Sequence, residues 1–330
     1  MTFNYQKICD NFFEDLPERT SNVLERRFGL KGGERETLES IGKSYGICRE
    51  RIRQIEQDGF SRLKPKLKYH QKTFQYFVSQ IRTFGNLKKE DRLLEFLGQN
   101  QFQNQVYFLL VISDFFDRFS ESKEFYSFWT IKKESLGLAQ KIVEFTLTEF
   151  EKESRPFTID ELLRVQKSNF SEILNKNVLH SYLEISKKIY QGPEGQFGLK
   201  DWPEINPRGI KDKAYLVLKK EKKPMHFVEV ANLIDSALPQ TVHNELIKDQ
   251  RFVLVGRGLY ALGEWGYEPG VIKDIISKVL KEAKKPLSKE EILEKVLNQR
   301  FVKKNTILLN LNDKKYFLKE SQGKYKLKEV

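Results

Sequence analysis

The sequence predicts a mainly α chain, with a helix-turn-helix head followed by tandem α+β modules that each close on a short β-hairpin. Three observations support this. The stretch Thr37 to Glu56, TLESIGKSYGICRERIRQIE, has apolar spacing for two helices around a glycine turn. Further on, a block recurs with closing glycines 63 and 65 residues apart. Finally, 330 residues at 39% hydrophobic content can fill several cores, about two to four domains on the usual size range.

The first unit is expected over residues 1–68. Phe3, Ile8, Phe12 and Phe13 mark a leading helix that packs on the head, and Lys31-Gly32-Gly33 separates the two halves of the bundle. Leu38 and Ile41 give the first helix of the turn its apolar side, Gly46 makes the turn, and Ile52 and Ile55 face inward from the second helix. At about 100° per residue, Glu50, Arg53, Gln54 and Gln57 then point outward, flanked by Arg49 and Arg51. Arginine forks onto guanine acceptors, glutamine pairs with adenine and a carboxylate accepts from cytosine, so Arg53, Gln54 and Glu50 supply one of each. Arg49, Arg51 and Lys43 lie where phosphates run beside the bases, and Arg27 joins them as a phosphate contact. The competing reading is an ordinary solvated helix face. Helical signal ends near Leu63-Lys64-Pro65; Lys64, Lys66 and Lys68 suit phosphate or, equally, the helix dipole.

Several separated blocks carry a family resemblance: Leu16-Pro17-Glu18-Arg19, Arg27-Phe28-Gly29-Leu30, Thr37-Leu38-Glu39-x-Ile41-Gly42 and Arg49 through Glu56. Together they closely resemble region 4 of bacterial primary-type sigma factors. The resemblance implies binding to a −35 promoter element and to the flap of RNA polymerase, with Arg49, Glu50, Arg53 and Gln54 at the base-reading positions. One residue departs from the pattern. Cys48 replaces the usual threonine before the recognition helix and is a poorer N-cap. Only a short leader precedes the head, which favours a sigma-related regulator over an autonomous initiation factor.

After Tyr69 aromatics rise, with Phe74, Tyr76, Phe77 and Phe84 at helical spacing, and Val106 to Ile112 is apolar on every side. Core packing is the stronger reading there than an aromatic ligand box. Phe125 to Ile131 alternates like a strand.

The repeat then opens three times on a basic residue and a proline: Arg155-Pro156-Phe157-Thr158, Lys223-Pro224-Met225-His226 and Lys285-Pro286-Leu287-Ser288. Thr158 with Glu161 and Ser288 with Glu291 fit the capping box, and His226 with Glu229 fits it less well. A later helix shows Val178 and Tyr182, Val242 and Leu246, or Ile307 and Leu311 on one face. Each block ends Gly-x-aromatic-x-Leu, at Gly195, Gly258 and Gly323. This is the plan of a winged helix, and it is similar to the HARE-type helix-turn-helix of the RNA polymerase delta subunit, most clearly over 209–266. A delta subunit also carries a long acidic tail, whereas this chain ends LKEV, so the likeness concerns fold. The expected modules are 69–138, a helical domain and degenerate copy; 139–206; 207–266; and 267–330.

Net charge is +12, which points to double-stranded DNA, although an acidic protein or an anionic membrane surface also fits the charge. Residues 267–330 hold 16 Lys and Arg against 9 Asp and Glu, whereas 139–206 hold 9 against 11 and suit protein contact. Secondary DNA contacts are therefore expected from Lys303, Lys304, Lys314 and Lys315, with Lys324 and Lys326 beside them. In the middle copy Arg251, Arg257, Thr241, His243 and Asn244 are candidates, although a merely exposed His243 is the slightly stronger reading. Four dispersed histidines, two unpaired cysteines and the lack of GxSxG, P-loop or GxGxxG motifs argue against catalysis, metal or cofactor. No small-molecule substrate and no membrane partner are evident, and a cytoplasmic, nucleoid-associated setting is expected. The alternatives are a polymerase-binding adaptor, a delta-like accessory factor, or a nucleoid or defence-associated DNA module.

Overall fold

The structure is a computed structural model that describes residues 3–99, 101–167, 169–170, 174–320 and 323–328. It divides into two compact units, Met1–Asp201 and Trp202–Val330.

The head of the first unit consists of α1 (Tyr5–Phe13), α2 (Glu18–Phe28), α3 (Leu38–Tyr45) and α4 (Arg49–Leu63), followed by a 3-10 helix, Lys64–His70. Local chemistry sets these boundaries. Asn4 caps α1 by accepting from the Lys7 N–H, and Thr37 caps α3 by accepting from Ser40. Gly46 ends α3 at φ 66°, a left-handed conformation that suits glycine.

The next module runs α5 (Gln71–Thr83), β1 (Leu87–Lys89), α6 (Glu90–Gly98), α7 (Gln103–Ile112), β2 (Asp117–Phe119) and β3 (Phe128–Thr130), with an antiparallel sheet in the order β1-β3-β2. The alternating stretch read over Phe125 to Ile131 is thus a strand only in its second half, Phe128–Thr130. A second module follows with α8 (Glu134–Glu153), α9 (Ile159–Lys167), α10 (Lys176–Glu184), β4 (Ile189–Gln191) and β5 (Phe197–Leu199).

In the second unit, α11 (Gly209–Glu221), β6 (Met225–His226), α12 (Phe227–Asn232), α13 (Pro239–Lys248), β7 (Phe252–Gly256) and β8 (Leu259–Leu262) repeat the plan with sheet order β6-β8-β7. The fourth module has α14 (Ile272–Ala283), α15 (Lys289–Leu297), α16 (Lys304–Leu311), β9 (Phe317–Lys319) and β10 (Tyr325–Leu327). The fold is therefore mainly α with small antiparallel sheets, and each module follows the winged-helix order of elements.

The repeated residues have matching jobs. In three modules the residue after the opening proline pairs antiparallel with the closing aromatic: Phe157 with Phe197, Met225 with Tyr260, Leu287 with Tyr325. The first helix ends each time on a left-handed residue, Ser154, Lys222 or Lys284, just before the basic-Pro pair. Thr158 and Ser288 accept from the N–H of Glu161 and Glu291 at 3.2 Å, and those carboxylates accept back from the cap N–H at 2.7 Å. His226 caps through Nδ1 at a longer 3.4 Å, to Val228.

One hydrophobic core runs across position 68 without a break. Leu24, Phe28, Leu30 and Leu63 of the head pack with Phe74, Phe77 and the apolar α7, and Phe108 meets Phe12, Phe13 and Phe28 ring to ring. Asn104 Nδ2 donates to the carbonyls of Gly29 and Gly33, and Gln105 Nε2 donates to that of Leu30. Helix α10 is likewise seated on the preceding module: Ser181 donates to Leu87 O at 2.6 Å, Tyr182 to Gly85 O at 2.7 Å, and Glu184 pairs with buried Lys88 at 2.8 Å. The third helices of these two modules are thus buried against protein.

Candidate nucleic-acid interface

Helices α3 and α4 form the helix-turn-helix. Ile41 and Ile52 are fully buried with Val23 and Leu38, and Tyr45, Ile47 and Ile55 pack around them. Helix α2 lies against α4 at Gly59, where an added Cβ would stand 2.8 Å from the Leu24 side chain. Ion pairs brace the scaffold from outside. Arg26 binds Glu36 through two bonds of 2.7 Å and donates to Ser44 Oγ at 2.8 Å. Hydrogen bonding from Arg26 holds the Glu36 carboxyl below its ordinary pKa.

With that inner edge fixed, Arg49, Glu50, Arg51 and Gln54 stand exposed on one side of α4 and Arg53 is partly exposed. They are coupled along the helix. Arg53 Nε lies 3.0 and 2.9 Å from the two Glu50 oxygens and Nη2 lies 2.6 Å from Oε1, while Arg51 Nη1 donates to Gln54 at 3.0 Å. The bond between them pushes Glu50 below and Arg53 above their ordinary pKa values. Glu50 therefore stays ionised and orients the guanidinium fork, a link that i,i+3 spacing signals and the reading of single side chains missed. Cys48 is exposed and, as N-cap, makes no side-chain capping bond. The first N–H groups of α4 are then available to a phosphate oxygen.

The expected phosphate contacts separate into two groups. Arg51 is exposed, as is Lys43, which also pairs with Glu39 at 3.0 Å. Arg27 turns instead toward the scaffold, with Glu56 at 3.2 Å and the Glu36 carbonyl at 2.9 Å. Lys64 pairs with Asp114 at 2.8 Å.

In the second unit α13 begins at Pro239, two residues before Thr241, which is exposed on its first turn. His243 is half-buried and stacked on Phe227 with ring centres 4.4 Å apart, so its ring faces the module's own core. Asn244 is exposed and accepts from Gln240. Arg257 stands exposed between β7 and β8, whereas Arg251 is held by Asp249 and Asp212 at 2.6 and 2.7 Å. Lys303 and Lys304 open α16, and Lys314 and Lys315 occupy the turn before β9; all four are exposed. Lys324 is exposed on the hairpin, and Lys326 pairs with Glu320.

Among the described residues no group of three or more His, Cys, Asp or Glu could hold a metal ion, and no helix is long and apolar enough to cross a membrane.

Comparison with known proteins matches Sigma-70, region 4 to residues 12–64, the span from the end of α1 through α4. The RNA polymerase sigma factor SigA of Bacillus sp is 47% identical over 55 residues, 17% of this chain and 15% of that protein. The RNA polymerase sigma factor sigB of Arabidopsis thaliana is 41% identical over 71 residues, 22% of this chain and 12% of that protein. The chain thus spans only a small part of these relatives. Within that part, the likeness supports a sigma-factor-related, DNA-binding role for the head.

Proposed function

We propose that the chain is a sequence-specific transcription regulator that reads a −35-like promoter element with α4 and contacts RNA polymerase. The observation that carries the reading is the set of exposed Arg49, Glu50 and Gln54 with partly exposed Arg53, on a helix whose opposite side is locked into the head. Arg53 supplies the fork for guanine and Gln54 the amide for adenine, while Glu50 accepts from cytosine and holds Arg53 in place. Arg51, Lys43 and the α4 N-terminus set the register on the backbone. Lys303, Lys304, Lys314, Lys315 and Arg257 add sequence-independent affinity from the second unit.

The test is selection of bound sequences from a random duplex pool, followed by Arg53→Ala. The variant is expected to bind the selected site on the order of ten- to a hundredfold more weakly while random duplex changes little. Equal losses on both would refute base reading. Binding of nuclease-treated core polymerase tests the polymerase contact separately.

A further inference from the structure

Within the second unit a cleft of ≈ 370 Å³ opens between the β7–β8 hairpin and the fourth module, whose walls are tied together where the Phe301 N–H donates to Val255 O at 2.7 Å. Leu254, Val255, Val271, Ile272 and Val302 line it. Leu254 is 51% exposed and Val271 60%, an uncovered apolar surface.

The one buried charge in this lining is Arg300, 3% exposed. Its guanidinium donates to three backbone carbonyls, Gln299 at 2.8 Å, Glu268 at 2.5 Å and Gly270 at 3.0 Å. Carbonyls satisfy N–H groups but carry no counter-charge, and among the described residues no carboxylate pairs with it. The Glu268 side chain, which acts on it electrostatically, is ion-paired with Lys278 at 2.6 Å. Burial accordingly pulls the Arg300 pKa below the ordinary arginine value. A buried cation without a directly paired anion is costly, and an arriving carboxylate would relieve that cost. Arg257, exposed at the mouth, adds attraction for an anion.

We propose that this cleft binds a small monocarboxylate with an apolar body, its carboxylate on Arg300 and its hydrocarbon over Leu254, Val271, Ile272 and Val302. The volume lies at the small end of ligand pockets, where an apolar wall and one placed polar group set specificity. The proposal goes beyond DNA reading and does not depend on it.

The test is calorimetric titration of the full chain with octanoate, with octan-1-ol as the neutral control. Saturable octanoate binding is expected, with the alcohol at least tenfold weaker. Val271→Glu, at an exposed rim position that leaves the core intact, is expected to weaken octanoate at least tenfold with an unchanged circular dichroism spectrum. Lack of saturation at millimolar octanoate, equal binding of the alcohol, or wild-type affinity in V271E would overturn the proposal. So would tighter binding of a leucine-terminated peptide than of octanoate, which would make the occupant a protein end.

Discussion

Phe108 offers the sharpest test of how the head is held. Its ring is fully buried and meets Phe12, Phe13 and Phe28 at centroid distances of 6.1, 5.4 and 5.3 Å. Phe108→Ala removes an aromatic side chain that buries roughly 150–250 Å², worth ~4–6 kcal/mol at ~25 cal/mol per Å². Measured Phe-to-Ala changes in cores cost about 3–5 kcal/mol, so a loss of ~4 kcal/mol is expected. Because residues from α1, α2, α5 and α7 share this core, the loss should lower one cooperative transition that includes the head, although the substitution lies outside residues 1–68. Urea unfolding followed at head and module probes would show both midpoints falling together. A head transition that keeps its wild-type midpoint would refute the shared core, as would a loss below about 1 kcal/mol.

Three further outcomes follow from the same geometry. Glu50→Ala removes the partner that orients Arg53 and one negative charge from the helix face proposed to meet DNA; affinity for random duplex should rise at low salt while discrimination at the matching base falls, as read by competition binding. Lys88→Met takes the lysine from buried Glu184, leaving that carboxylate only the long contacts of the Lys89 N–H at 3.4 Å and His180 Nδ1 at 3.5 Å, and should cost up to about 3–5 kcal/mol in chemical unfolding, whereas K88M/E184L should recover most of that loss. Glu36 has a depressed pKa in the folded head, so its contribution is present above the unfolded carboxylate value of about 4.3 and is lost as pH falls through the lower folded value. Glu36→Gln should therefore flatten the acid limb of the stability curve, and an unchanged limb would remove the Arg26 pair from the account.

Much of the architecture was legible because it depends on local chemistry. Gly46 and the Thr158 and Ser288 boxes act within four residues of where they are read. The basic-Pro openings and the Gly-x-aromatic-x-Leu endings could be matched because both recur, and their pairing across the sheet explains why they recur together. What a helix packs on is not local. Val106 to Ile112 reads as buried from its lack of a polar side, but nothing in those residues says that the head is what covers them. Whether a cation is available depends likewise on which acid the fold delivers. Glu56 reaches Arg27 and Asp114 reaches Lys64, from 29 and 50 residues away, whereas no acid is delivered to Arg51 among the described residues. His243 sits one step from buried Val242, so a helical period leaves it at the boundary, and Phe227 draws the ring inward.

The packing of α7 on the head also orders events during synthesis. A nascent chain that has released only its first seventy residues already carries every side chain proposed to read DNA. Yet Leu24, Phe28, Leu30 and Leu63 must still wait for α7 to emerge. During that interval an apolar surface is open to chaperones and to other nascent chains.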